Sequence, residues 1–369
     1  MPRCGISASV SFSREADVTS STQELAPRRS VVAGPIVAGV TALTAFVATQ
    51  AAGVPLRDPD QVVGRRLVAV IGLVLVLIVF DVMIRAARRS GKVLPPREEM
   101  RTVRRERWTR HRAAIVGSAL VSFYVTYLAY RNLKSLLPVL RPGELFDTQL
   151  AEFDRILFAG NDPAELIHSL LGTGAATHVL STVYVLFLLF VPVSLALALV
   201  FSKDLQRGLF YATALSINWA LGAASYFLFP SLGPVYAAPG AFSELPASAA
   251  SKLQDLLLEA RVEYLRDPSA TDAAQSIAAF ASLHTSIIFT AAVAVWLLGL
   301  GRRLQVALWI LLALTMAATI HLGWHYVIDD FGGVAIGLAA LAIALAITGF
   351  EPVPVAQPRR RASPEMGTA

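Results

Sequence analysis

Five ionisable residues stand out in a chain that carries few charges. His325 and Asp329 lie four positions apart in TIHLGWHYVIDDFGG. On a helix such a pair shares one face. A carboxylate beside an imidazole fixes its tautomer and stabilises its protonated form. His284 lies in AAFASLHTSIIF, two residues after Ser282, which takes the place of a helix N-cap before an apolar run. The free amides and the dipole at a helix start attract anions. Lys134 and Arg141 stand in YRNLKSLLPVLRPGE, with six residues between them and Pro142 after the arginine. Arginine offers a planar fork to two phosphate oxygens, and lysine adds a point charge. Each signal alone has a plain reading. A single histidine at the end of an apolar run is commonly an interfacial residue. Two cations there commonly anchor the helix to lipid headgroups. Their meaning depends on whether the chain brings the three stretches together, in which case they form a site for phosphate chemistry.

The elements that must do this are membrane helices. The chain has 369 residues, 55% hydrophobic and 16% charged, where a soluble domain carries about 25% charged. Apolar runs predict about eight spans, near 31–53, 67–84, 113–131, 177–201, 208–229, 283–300, 304–321 and 331–349. The predicted fold is all-α, a polytopic transmembrane bundle. The connection 85–112 is rich in arginine, from Arg85 to Arg112, and the positive-inside rule makes it cytoplasmic. Counting spans from it places both termini inside, with Arg28, Arg29 and Arg359 to Arg361, and also the turns at Lys203 with Arg207 and Arg302 with Arg303. Arg65 and Arg66, on an outer loop, dissent. The stretches with Lys134, Arg141, Ser282, His284, His325 and Asp329 then all meet the outer face. Two longer outer segments, 132–172 and 230–280, contain LFDTQLAEFDRILF and SKLQDLLLEARVEYL. Their amphipathic periodicity predicts outer helices that cap the bundle or act as a lid or entry ramp for lipid.

The net charge of +6 sits mostly beside the spans, where it sets topology, so nucleic acid is not an expected partner. The single cysteine, Cys4, excludes an intrachain disulfide and a cysteine zinc site. The first 30 residues lack a signal-peptide core and read as a disordered cytoplasmic tail. Two accessory spans and the basic loop fill 31–112, the phosphate-handling domain 113–350, and a second tail 351–369. With 28 arginines against 4 lysines, the composition suits a GC-rich bacterial genome, hence a bacterial plasma membrane.

The three stretches resemble the signature of the type 2 phosphatidic acid phosphatase superfamily: Lys-x6-Arg-Pro, then Pro-Ser-Gly-His, then Ser-Arg-x5-His-x3-Asp. ASLH and HYVID look closest to the inositol phosphorylceramide synthase branch, as does FPSLGPVY at 229–236. The resemblance covers about residues 120–350. It implies a six-helix phosphatase-type core and a phosphatase or phosphotransferase acting through a phosphohistidine. His325 would be the nucleophile, Asp329 its orienting partner and His284 the proton donor to the leaving group. Lys134, Arg141 and Ser282 would hold the phosphoryl oxygens. No metal and no cofactor are implied. The substrate would be a lipid phosphate or lipid-linked phosphodiester, with water or an alcohol such as inositol or a glycan as acceptor. Two positions depart from the pattern. Ala281 stands in place of proline, and Thr319 in place of the arginine six before His325. His321, one turn before His325, is a candidate to compensate. The rival class is a lipid transporter or scramblase without chemistry, or a degenerate family member. Transport would place charges at mid-span, whereas here they sit at span ends.

Overall fold

The computed structural model describes residues 26–353 except Asp272. Of the expected tails, 1–30 and 351–369, residues 1–25 and 354–369 lie outside the described residues, and Cys4 with them, whereas Arg28 to Ser30 already belong to the first helix. The described residues form helices and no strands. In chain order these are α1 (Arg28–Ala52), α2 (Leu67–Ser90), α3 (Arg97–Arg107), α4 (Arg110–Leu140), α5 (Asp147–Leu157), α6 (Pro163–Leu171), α7 (Ala175–Phe201), α8 (Leu205–Leu228), α9 (Pro234–Ala237), α10 (Ala249–Arg266), α11 (Leu283–Leu297), α12 (Arg302–His321) and α13 (Val327–Thr348). Short 3-10 and π turns precede α2, and another 3-10 turn follows α9. Local sequence starts several helices. Asp162 and Asp204 accept from amides two residues on, at α6 and α8, and Ser248 forms a capping box with Ser251 at α10.

Each of the eight expected spans contains a helix. Six are long and apolar enough to cross a bilayer: α1, α2 with its preceding turn, α4, α7, α12 and α13. The protein is an integral membrane protein. The other two depart from a simple span. α11 has only 15 residues. α8 has 24 residues but is buried along most of its length, so its surroundings are protein. This is why it tolerates Ser216, Asn218 and Ser225. Asn218 donates to Thr290 of α11 (3.1 Å), and Ser286 of α11 donates to Asn218. Small residues let the inner helices close up. A Cβ on Gly222 of α8 would fall 2.5 Å from Leu283, and one on Gly333 of α13 would fall 2.4 Å from the Ser282 carbonyl oxygen.

The arginine-rich connection is itself folded. It contains α3, whose Val103 packs on Val82 and Ala86 of α2. Buried Asp81 of α2 accepts from Arg85 Nε (2.7 Å), Arg107 Nε (2.7 Å) and Trp108 Nε1 (3.1 Å). Arg107 also donates to the carbonyls of Val200 and Ser202 at the end of α7. Arg66, the dissenting charge at the opposite end, donates to the Tyr127 hydroxyl.

The two longer segments expected outside, 132–172 and 230–280, contain α5 with α6, and α9 with α10, as helices at the end that carries the histidines. Large apolar side chains stand out from them, Ile156 at 80% and Leu170 at 79% exposure. Such faces suit helices that lie in a membrane interface.

Candidate functional site

Helix ends converge at one end of the bundle: the C-terminal halves of α4 and α8, the starts of α11 and α13, and the loop from α12 to α13. Ser282 caps α11, its hydroxyl accepting from the Thr285 amide (3.4 Å). The Ser282 amide donates to the Asp329 carbonyl (2.9 Å), so the starts of α11 and α13 are tied together. The amides of Leu283 and His284 remain as the free donors at this helix start. The peptide between Phe280 and Ala281 is cis.

His325 and Asp329 meet, but not on a shared helix face: His325 lies in the loop just before α13 and Asp329 in the first turn of that helix. His325 Nδ1 lies 3.3 Å from Asp329 Oδ2, which also accepts from the Tyr326 amide (2.9 Å). Burial pulls the His325 imidazole down to about 4, with the charge of Lys134 pushing the same way and Asp330 opposing. The ring is therefore neutral at neutral pH. His284 faces it, with ring centroids 5.9 Å apart. Among the described residues it is held by ring contacts. Tyr184 covers one face at 4.4 Å and Phe187 stands at 4.2 Å, while Trp324 stacks on the far side of Tyr184 at 4.7 Å. Lys134 Nζ lies over the rings of Tyr226 (4.7 Å) and Tyr130 (5.9 Å), and its charge reaches both histidines.

Two expected phosphate ligands are differently engaged. Arg141 lies beyond the end of α4, where it pairs with Glu144 and donates to the Phe227 carbonyl (2.5 Å). An acid three residues away at an exposed helix end competes for its fork. The Ser282 side chain is buried between its own helix and α13, with Thr285 Oγ1 at 3.3 Å and a hydrogen bond to the Asp330 carboxyl. The arrangement thus offers an anion the Lys134 ammonium and the α11 amides, beside two imidazoles.

Thr319, where the resemblance expects arginine, is buried. Its hydroxyl donates to Met316 O (2.8 Å) and lies 3.3 Å from Asp330 Oδ2, and its carbonyl accepts from the Trp324 and His325 amides. His321 does not compensate. Its Nε2 is 2.8 Å from the Thr177 hydroxyl, and its ring packs edge-on to His168 at 4.6 Å.

Three acids escaped the sequence reading. Asp330 accepts from the Thr285 hydroxyl (2.6 Å) and so braces the start of α11. Asp147 and Asp154, seven apart on α5, hold the neighbouring loops. Asp147 accepts from the amides of Leu232 and Gly233 (3.0 and 2.8 Å) and from the Tyr326 hydroxyl (3.1 Å). Asp154 accepts from the Val327 and Ile328 amides (2.7 and 3.1 Å), capping α13 from another helix. Burial raises the Asp154 carboxyl, and those two amides oppose it. The signal was present: an i, i+7 acid pair on an amphipathic segment, and a second aspartate in an apolar span. Among the described residues no cluster of three or more His, Cys, Asp or Glu is arranged for a metal ion.

This geometry can carry phosphoryl chemistry, in which positioning and positive charge do most of the work. No match is found among curated proteins or among solved structures. Residues 148–345, just over half of the chain, match the family model of the PAP2 superfamily. That stretch holds Ser282, His284, His325 and Asp329 and leaves out Lys134 and Arg141. The chain belongs to the PAP2 superfamily.

Proposed function

We propose that the protein is a membrane phosphatase or phosphotransferase that acts on a lipid phosphate or lipid-linked phosphodiester at the extracytoplasmic face. The observation that carries this is the neutral His325 imidazole, backed by Asp329 and facing His284, beside the Lys134 ammonium. With Nδ1 on the Asp329 side, Nε2 is the nucleophile. It attacks phosphorus as the bond to the leaving alcohol oxygen breaks, and His284 gives that oxygen a proton. Water or an acceptor alcohol then attacks the phosphohistidine. His284 takes its proton, and the P–N bond returns its electrons to Nε2. Lys134 and the α11 amides offset charge on the non-bridging oxygens. The inositol phosphorylceramide synthase-like motifs favour an alcohol acceptor such as inositol or a glycan. The arginine distribution supports the outward-facing site, cytoplasmic termini and a bacterial plasma membrane. Residues 113–350 form the working domain under this reading, with 31–112 as accessory spans and loop.

The test is a phosphatidyl donor labelled at phosphorus, offered to the purified protein in detergent with water alone or with inositol. An acid-labile, base-stable label on the protein is the expected intermediate, and its transfer to inositol identifies a transferase. Absence of both label and turnover across phosphomonoester and phosphodiester donors rejects the proposal.

A pH profile follows from His325. The attacking imidazole must be unprotonated, and an ordinary histidine gains its proton near 6.5. With His325 held at about 4, the loss of kcat caused by its protonation should come only on passing through about 4. A diester substrate, which does not titrate in this range, gives the clean measurement. An acid limb between 6 and 7 contradicts the expectation.

A further inference from the structure

Among the described residues, Lys134 is the cationic side chain whose charge reaches both histidines, while Arg141 is engaged by Glu144 and the Phe227 carbonyl. A phosphate group is poorly neutralised by one ammonium. α10 roofs the same end of the bundle. The Ala250 amide donates to Ser181 Oγ of α7 (2.9 Å), and Gln254 Nε2 donates to the Leu322 carbonyl (2.8 Å), in the loop that carries His325. Leu253 and Leu257 pack on Leu180, Tyr184 and Trp324, the aromatic stack behind His284.

Residues seven apart share a helix face. Arg261 therefore follows Gln254 on the inward side of α10, and fully buried Tyr264 continues that side. Arg261 makes no hydrogen bond and no ion pair among the described residues. Burial pulls its guanidinium below the ordinary range, and Asp147 is the one charge that offsets this. The Asp147 carboxylate is already taken by the Leu232 and Gly233 amides and by the hydroxyl of Tyr326, the residue after His325. A part-buried guanidinium with unfilled donors is unfavourable on its own, and an anion entering there relieves it. The outward side of α10 exposes Leu256, Leu258, Val262 and Leu265, as a helix lying against lipid does.

We propose that Arg261 binds the phosphate-bearing headgroup of an amphiphilic substrate at the mouth of the site. This rests on the phosphate-chemistry reading above. The planar fork takes two non-bridging oxygens while Lys134 supplies a point charge from α4, and the outward apolar side of α10 keeps the lipid chains in the bilayer.

Orthovanadate, a soluble phosphate mimic, tests this by titration calorimetry on the full chain in detergent. Arg261→Gln should weaken vanadate binding by roughly 10-fold or more, the scale of a lost bidentate contact, with an unchanged melting temperature. Arg261→Lys should recover part of the affinity. Lys252→Gln, on the exposed side of α10, should change nothing. Wild-type affinity in folded Arg261→Gln overturns the inference and leaves the phosphate reading standing. Failure of the wild-type protein to bind vanadate overturns both. Should Arg261→Gln not fold, Arg261→Lys decides: intermediate affinity supports the role and wild-type affinity overturns it.

Discussion

His325→Ala should lower kcat for phosphoryl turnover by on the order of 10³-fold or more, the scale seen when a covalent nucleophile is removed. The fold should survive. Asp329 Oδ2 keeps the Tyr326 amide at 2.9 Å after the imidazole is gone, and the ties from Ser282 to the Asp329 carbonyl and from α5 to the start of α13 do not involve the ring. Thermal melting should therefore move little while turnover and the acid-labile label disappear together. His284→Ala should behave differently. If His284 protonates the leaving oxygen, its loss is severe for an alkyl phosphate ester, whose alkoxide leaves poorly. It is mild for a nitrophenyl ester, which needs no proton. His325→Ala should be equally slow on both. A His325→Ala protein that keeps a tenth of wild-type turnover would sink the phosphohistidine mechanism, whatever the substrate.

The sequence made the helices and one half of the site readable, for physical reasons that differ residue by residue. Apolar runs announce helices because lipid leaves the backbone no other way to satisfy its polar groups. α8 and α11 show the limit of that signal. Hydropathy identifies an apolar helix, and cannot say whether lipid or protein surrounds it. The pairing of His325 with Asp329 was legible from their closeness in sequence, though it forms at the cap of α13 rather than along a helix face, because His325 precedes the helix and Asp329 lies in its first turn; the N-cap at Ser282 was legible because caps are local. Lys134 was reached through its motif and does approach the histidines. Arg141, seven residues on, is held by Glu144, because once the helix ends spacing no longer dictates direction. The framework of Asp147, Asp154 and Asp330 depends on partners that the spacing of these acids does not name: backbone amides and hydroxyls more than forty residues away, and Thr319 eleven residues before Asp330. The aromatic support of His284 from Tyr184 and Trp324 is likewise a tertiary fact, since these residues belong to α7 and to the loop after α12.

Gly333→Ala should be strongly disruptive at the site. The added methyl would sit 2.4 Å from the Ser282 carbonyl oxygen and 3.2 Å from the Ser286 amide nitrogen. Both are backbone atoms of the α11 start, so no side chain can swing aside and the two helices must part. Overpacking of this kind costs about 1–3 kcal/mol, seen as a lower melting temperature in detergent. Activity should suffer more than stability. His284 rides on α11 and Asp329 on α13, and the hydrogen bond from the Ser282 amide to the Asp329 carbonyl (2.9 Å) crosses that seam. A displacement of about 1 Å between reacting groups costs roughly 10²-fold in rate, and vanadate affinity should fall with it. Gly117→Ala provides the contrast. Gly117 lies within α4, where an added methyl meets nothing within 4 Å, so the change should be neutral or stabilising by up to about 1 kcal/mol. A Gly333→Ala protein that melts and turns over like wild type would show that α11 and α13 do not close at this glycine. The histidines would then have to be positioned by the α5 carboxylates and the aromatic stack alone.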